Sequence, residues 1–269
     1  MLKVHHLNCG TFCPYCRPFI NGNGSYFAKG EMVCHCLLIE TNNGLVLVDT
    51  GFGKNDIAQM HKIPWSFRAI ARPVLQVAET AIEQIKGLGY PPDEVRHILP
   101  THLHLDHIGG MSDFPQAKIH LFQQEYDAAM RPSRDYLPYQ WEHKPDWQCY
   151  KAEGDKWFGF DSVRPLLGDT DDILMIPMHG HTAGHSAIAV KQGDQWLLHC
   201  GDSYYFHQEI KNDPPFVPFG LKMMGAAVNF NKKAFQNNQK RLRELFQTKR
   251  DSIRLFCAHD VEEFKEFEQ

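Results

Sequence analysis

The sequence predicts an α/β protein in which two β-sheets pack together with helices on the outside. Three observations support this. The chain of 269 residues is long enough to bury a substantial core. Short β-branched, apolar runs recur along it, and two of them are joined through Asn43-Gly44, a strong hairpin signal. Helix-spaced segments are interspersed among the strand-like ones, the pattern of mixed layers.

Taken in order, residues 33–40 and 45–49 form the hairpin. Residues 79–88 space their apolar positions as a short helix that Gly89 and Pro91 end. Val95 to Leu99 is a buried-strand candidate leading straight into Pro100-Thr101-His102, and Lys118 to Phe122 is another. Residues 123–160 are aromatic, charged and broken by proline, the mark of an inserted excursion over one face of a single domain spanning 1–269. Ile173 to Pro177, Ser186 to Val190 and Gln195 to His199 follow as strands. Residues 231–247 make an amphipathic helix, and Ile253 to Ala258 a last strand. No internal repeat divides the chain.

Composition excludes several classes. Hydrophobic residues make up 43% and charged residues 22%, ordinary for a soluble enzyme. A net charge of −4 gives a nucleic-acid partner no electrostatic support. No apolar run approaches the ~18–20 residues of a membrane span. The N-terminus, MLKVHHLNCG, lacks the layout of a signal peptide, so a cytoplasmic location is expected. Eight cysteines are too sparse for a disulfide scaffold. Cys13-Pro14-Tyr15-Cys16 has redox or zinc-knuckle spacing, with Cys34 and Cys36 as the other half of a knuckle. Its prolines and glycines describe a loop, and plain thiols are the preferred reading.

The chemistry is concentrated in His102-Leu103-His104-Leu105-Asp106-His107-Ile108-Gly109-Gly110. Histidines two apart at a strand end point the same way, so His102 and His104 can share one metal ion. After the turn, Asp106 and His107 can face a second. Four ligand-type side chains in six positions are hard to explain as packing, because burying each without a partner costs several kcal/mol. None is a cysteine, so the donors are nitrogen and oxygen; zinc is the default, with cobalt, manganese and iron as alternatives.

This motif resembles the HxHxDH signature of the metallo-β-lactamase superfamily. Val46-Leu47-Val48-Asp49-Thr50-Gly51, Gly180-His181-Thr182-Ala183-Gly184-His185, Cys200-Gly201-Asp202 and Phe256-Cys257-Ala258-His259-Asp260 match further superfamily motifs in the right order. The resemblance implies an αββα sandwich of two mixed β-sheets flanked by helices. It places His102, His104 and His181 on one divalent ion and Asp106, His107 and His259 on a second, with Asp202 bridging. His185 is the competing choice to His181. Asp49 would orient a ligand imidazole through its other nitrogen, or only cap its turn. Two divalent ions outweigh Asp106, Asp202 and a bridging hydroxide in charge, so such a site would hold hydroxide near neutral pH.

Tyr205, three residues after Asp202, has the spacing seen in the N-acyl homoserine lactone lactonases, quorum-quenching members of the superfamily. There a phenol would donate to the oxyanion or leaving oxygen. The expected activity is therefore opening of a lactone or related ester by a metal-held hydroxide, with Asp106 and Tyr205 as catalytic residues. Glyoxalase II-like thioester hydrolysis is the alternative, with Lys232, Lys233, Lys240, Arg241 and Arg243 as available basic residues. An iron-dependent persulfide dioxygenase-like oxidoreductase is another. Phe206, Phe216, Val217, Phe219, Leu221, Met223 and Met224 would line an acyl cleft, or serve as core or a homodimer contact. Expected partners are a small ester or lactone and a second copy, with neither nucleic acid nor membrane.

Overall fold

A computed structural model describes residues 2–166 and 172–268. In the first sheet lie β1 (Lys3–Phe12), β2 (Met32–Thr41), β3 (Gly44–Val48), β4 (Val95–Leu99), β5 (Lys118–Phe122) and β6 (Asp146–Tyr150), side by side in that order. The second holds β7 (Asp155–Trp157), β8 (Phe160–Pro165), β9 (Ile173–Pro177), β10 (Ser186–Gln192), β11 (Gln195–His199) and β12 (Ile253–Phe256), again in sequence order. Both sheets are mixed. Pairing is antiparallel from β1 to β3 and parallel from β3 to β6. It is antiparallel from β7 to β11, and β12 joins β11 in parallel.

The alternation of β2 shows why two layers form. Leu37 and Ile39 point between the sheets, where they meet Val46, Val48, Leu99, Ile188, Val190 and Phe256. Cys36 and Leu38 point the other way, into a layer shared with Ile85 and Ile98. Both faces are covered, so β2 reads as a continuous apolar run rather than a half-polar one. On the outside of the second sheet, Ile176, Ala189 and Leu255 pack against Leu242 and Leu245. Those leucines lie on the helix Lys232–Lys249, whose Asn231 cap accepts the Ala234 N–H at 3.1 Å. Each buried leucine or isoleucine contributes about 1.5–3 kcal/mol.

The expected hairpin, the strands β4, β5 and β9–β12, and the helices near 81–87 and 232–249 all occur within one or two residues of their predicted bounds. Another segment differs. Residues 123–160 hold a helix (Gln123–Ala129), a 3-10 turn (Pro138–Trp141) and strands of both sheets, so they are woven through the sandwich. The pair Cys13 and Cys16 lies, as its prolines suggested, in the loop segment between β1 and a five-residue helix, Arg17–Asn21. All eight cysteines are free thiols. Among the described residues no helix is long and apolar enough to cross a membrane.

Candidate metal centre

The site is built where strand ends from both sheets meet. The segment after β4 supplies His102 and His104, and the short helix Leu105–Ile108 carries Asp106 and His107. The loop between β9 and β10 presents His181, the turn after β11 Asp202, and the turn after β12 His259. At Gly201 the backbone takes φ +52°, and a Cβ there would lie 2.7 Å from the His185 imidazole, so the turn that aims Asp202 requires glycine.

These seven side chains converge. His181 Nε2 lies 3.2 Å from His102 Nε2 and 3.0 Å from His104 Nδ1. On the other side, His259 Nε2 is 3.6 Å from Asp106 and 3.1 Å from Asp202 Oδ1. His107 Nε2 is 3.4 Å from the same Asp202 oxygen, while Asp202 Oδ2 faces His181 at 3.4 Å. Asp202 therefore turns one oxygen to each half of the cluster. His102, His104 and His181 form one group of ligand atoms within 4.8 Å of one another, and His102, His107 and Asp202 another.

Hydrogen bonds on the far nitrogens decide what these rings offer. His107 Nδ1 donates to Asp49 Oδ2 at 2.9 Å, and His259 Nδ1 donates to the Val33 carbonyl at 2.8 Å. His181 Nδ1 faces Asn229 Oδ1 at 3.0 Å, and His102 Nδ1 faces Thr101 Oγ1 at 3.1 Å, whose own proton goes to Asp49. With the proton held on Nδ1, each Nε2 presents a lone pair. The His102 and His181 Nε2 lone pairs 3.2 Å apart, with His104 Nδ1 3.0 Å from the latter and the buried, unpartnered His107 Nε2 and Asp202 Oδ1, form a donor set that cations would satisfy. The residues fit a divalent metal.

Electrostatics divide the cluster into imidazoles kept neutral and a carboxylate-rich half that attracts positive charge. Burial, reinforced by neighbouring imidazoles, pushes His102 and His104 well below the usual histidine range. Burial also opposes charge on His107, but Asp202, Asp49 and Asp106 outweigh it and raise that ring. Asp202 is held well below the carboxylate range despite burial, because His259 and His107 stabilise its charge.

Several supporting residues carried no signal in the sequence. Glu125, fully buried, accepts from the Leu103 N–H at 2.9 Å, the Thr182 hydroxyl at 2.6 Å, the Gly184 N–H at 2.9 Å and the Tyr136 hydroxyl at 3.2 Å. It clamps the loop of His102 and His104 to the loop of His181. Gly184 permits this, since a Cβ there would sit 2.2 Å from the Glu125 nitrogen. Asp56 takes bonds from Tyr139 at 2.8 Å and Gln140 at 3.1 Å, and Gln140 also reaches the Leu105 carbonyl at 2.9 Å. Residues 123–160 thus brace the metal loop. Cys34, on β2, stands within 4.8 Å of ligand atoms of Asp106 and His259.

Asp49 does more than cap a turn, since one oxygen holds His107 and the other accepts the Thr101 N–H at 2.7 Å. His185 is not among the converging ligand atoms; its Nε2 accepts the Asp202 N–H at 3.0 Å. Tyr205 lines the same cavity as His104, Asp106 and His181. Its hydroxyl lies 2.9 Å from His181 Nδ1 and 3.2 Å from Asn229 Oδ1, on the side of the ring away from the ligand nitrogen. The neighbouring Tyr204 is buried and donates to Glu263 at 3.0 Å.

A cavity of ≈ 430 Å³ opens onto His104, Asp106, His181, Asp202 and His259. Its walls are mainly apolar, from Phe12, Phe19, Met32, Phe67, Leu221 and Met224. Of the predicted acyl-cleft residues, Leu221 and Met224 are therefore in place, while Phe216, Phe219 and Met223 are exposed. Lys232, Lys233 and Lys240 are exposed on their helix, and Arg241 and Arg243 are tied to the Gly159 and Glu209 carbonyls.

Fold and ligand cluster together define a metal-dependent hydrolase. The profile of the Metallo-beta-lactamase superfamily matches residues 30–242, and the chain belongs to that superfamily. A probable metallo-hydrolase of Mycobacterium tuberculosis is 40% identical over 264 residues, covering 96% of this chain and 80% of the relative. An N-acyl homoserine lactonase of Bacillus thuringiensis is 27% identical over 233 residues, covering 86% and 82%. The crystal structure of a B. thuringiensis AiiA mutant with N-decanoyl-L-homoserine at its active site has a TM-score of 0.74 at 21% identity, covering 98% of this chain and 95% of that one. At that identity the likeness shows the fold.

Proposed function

We propose that the chain binds two divalent cations side by side and hydrolyses an ester, with lactones that carry an apolar acyl group as the substrate class. The observation that carries this reading is the ≈ 430 Å³ apolar cavity ending on the ligand cluster. A volume of that order takes a small molecule whose apolar tail is removed from water while its polar head meets the ligands. N-acyl homoserine lactones have that build, and the relatives named lactonases support the choice. Opening such signals would make the activity quorum quenching.

In this reading His102, His104 and His181 hold one ion, Asp106, His107 and His259 the other, and Asp202 reaches both. Zinc suits the imidazole and carboxylate donors. When bound, the pair supplies Lewis acidity and makes water a nucleophile near neutral pH. The chain does the rest. The apolar walls hold the acyl group and exclude competing water. Asp106, whose carboxylate lines the cavity, accepts the proton released as water adds to the ester carbon and passes it to the leaving alkoxide. Tyr205 and Asn229 fix the orientation of His181. Thioester hydrolysis with a glutathione leaving group lacks its recognition residues, since none of the five basic side chains at 232–243 lines the cavity.

A panel on metal-quantified enzyme tests the reading. It comprises N-acyl homoserine lactones of increasing acyl length, aryl esters, glutathione thioesters and phosphodiesters. kcat/KM should be highest for the lactones and rise with acyl length. Faster turnover of a glutathione thioester, or indifference to the acyl chain, would reject it.

A further inference from the structure

The ligand cluster has a neighbour that the donor set of nitrogen and oxygen leaves out. Cys34 Sγ, an Asp106 oxygen and a His259 nitrogen lie within 4.8 Å of one another. Cys34 is 2% exposed and is held by the same backbone that places His259. The Val33 carbonyl accepts the His259 Nδ1 proton at 2.8 Å, the Val33 N–H reaches the His259 carbonyl at 3.4 Å, and the His35 N–H reaches the Ala258 carbonyl at 2.9 Å. The Cys34 N–H is bonded to Asn8 at 3.2 Å, so its backbone is fixed on both sides. Strand β2 is thereby zipped onto the turn that delivers His259, and its sulfur is set down beside the second half of the cluster.

We propose that Cys34 is a further ligand of the second cation site, giving that site a sulfur donor beside Asp106, His107, His259 and Asp202. Zinc bonds are about 2.3 Å to sulfur and about 2.0–2.2 Å to nitrogen or oxygen, and a cation among atoms within 4.8 Å of one another would draw them in. The two sites are then chemically unequal: the first offers only imidazole and carboxylate, the second includes a soft thiolate. Thiophilic ions such as zinc and cadmium are favoured at the second site over manganese or magnesium. The thiolate also adds a negative charge that offsets part of the cationic charge there. The proposal rests on the two-cation reading of the site.

Two measurements on the full chain test it. X-ray absorption at the zinc edge of the wild-type holoenzyme should contain a sulfur scatterer at about 2.3 Å. Cobalt-loaded wild type should show a near-ultraviolet thiolate-to-cobalt charge-transfer band that Cys34→Ser abolishes and Cys149→Ser keeps. Cys34→Ser should also weaken the second ion by on the order of tenfold or more in competition with a chelator. Two ions per chain with no sulfur scatterer would overturn the Cys34 proposal and leave the two-cation reading standing. One ion per chain with a sulfur scatterer would overturn the two-cation reading and keep Cys34 as a ligand. A charge-transfer band that survives Cys34→Ser would assign the sulfur elsewhere and end the proposal. The absorption measurement needs no variant, so a poorly folding Cys34→Ser does not shield the idea.

Discussion

Asn229 and Tyr205 share the outer face of His181, at 3.0 Å and 2.9 Å from Nδ1. Either oxygen can accept the ring proton, so removing one leaves the other. Tyr205→Phe should therefore retain both metals and slow hydrolysis by less than the 10²–10³ lost with an oxyanion donor. Tyr205→Phe combined with Asn229→Ala should lose more metal than the two single changes added together, because both act through one imidazole. Steady-state kinetics and elemental analysis of the three variants check this. A single-variant loss beyond 10² would return the phenol to the substrate. Tyr205 was found in the sequence by its spacing from Asp202. Its partner Asn229 was not, since a lone asparagine 24 residues further on has no pattern to announce it.

At the scale of elements, the ligands depend on loops that no sheet fixes by itself. Glu125 joins two of them through Leu103, Thr182 and Gly184. Glutamine in its place keeps one acceptor and turns an NH2 group toward donors. Glu125→Gln should lower stability by about 2–4 kcal/mol, the cost of leaving buried donors unmet, and should reduce metal content at the His102, His104 and His181 site. Urea unfolding with metal analysis reads both; a variant within 1 kcal/mol of wild type by that measure would discount the clamp. The strands next to the ligands were legible because their runs are apolar and end in the motifs. β1 was not, for KVHHLNCGTF lacks alternation and pairs with β2 through a register shift between Asn8 and Thr11. The helix Phe219–Val228 was also missed, with Gly220 and Gly225 lowering its helical signal. The connections made by Glu125 and the neighbours of Cys34 span from tens to hundreds of residues, and only the closed sandwich brings them together.

For the molecule as a whole, Asp56 links residues 123–160 to the metal loop and carries a pH-dependent cost. Burial raises its carboxyl from the ordinary 3.8 to about 6, against the hydrogen bonds from Gly53, Tyr139 and Gln140. Between those values the native state keeps a proton that the unfolded chain has released. The associated stability is complete below about pH 3.8 and is lost as pH rises through about 6, a change on the order of 3 kcal/mol. Asp56→Asn removes the titration. The stability of wild type relative to Asp56→Asn should fall by about that amount between about pH 4 and about pH 7 in denaturant unfolding, and a difference constant with pH would contradict the assignment. The overall architecture followed from strand runs and spacing, while the seven ligands came from one dense local motif and three distant ones that a family resemblance tied together. What the sequence left open, the weave of residues 123–160 through both sheets, depends on pairings between distant strands.

The central claim is that His102, His104, Asp106, His107, His181, Asp202 and His259 together hold a pair of cations. Elemental analysis of the purified wild type beside Asp202→Ala tests it most directly. The wild type should carry close to two divalent metals per chain, and removing the carboxylate that faces both halves should lower that number together with hydrolysis. One metal or none in the wild type, or an unchanged count in Asp202→Ala, would contradict it.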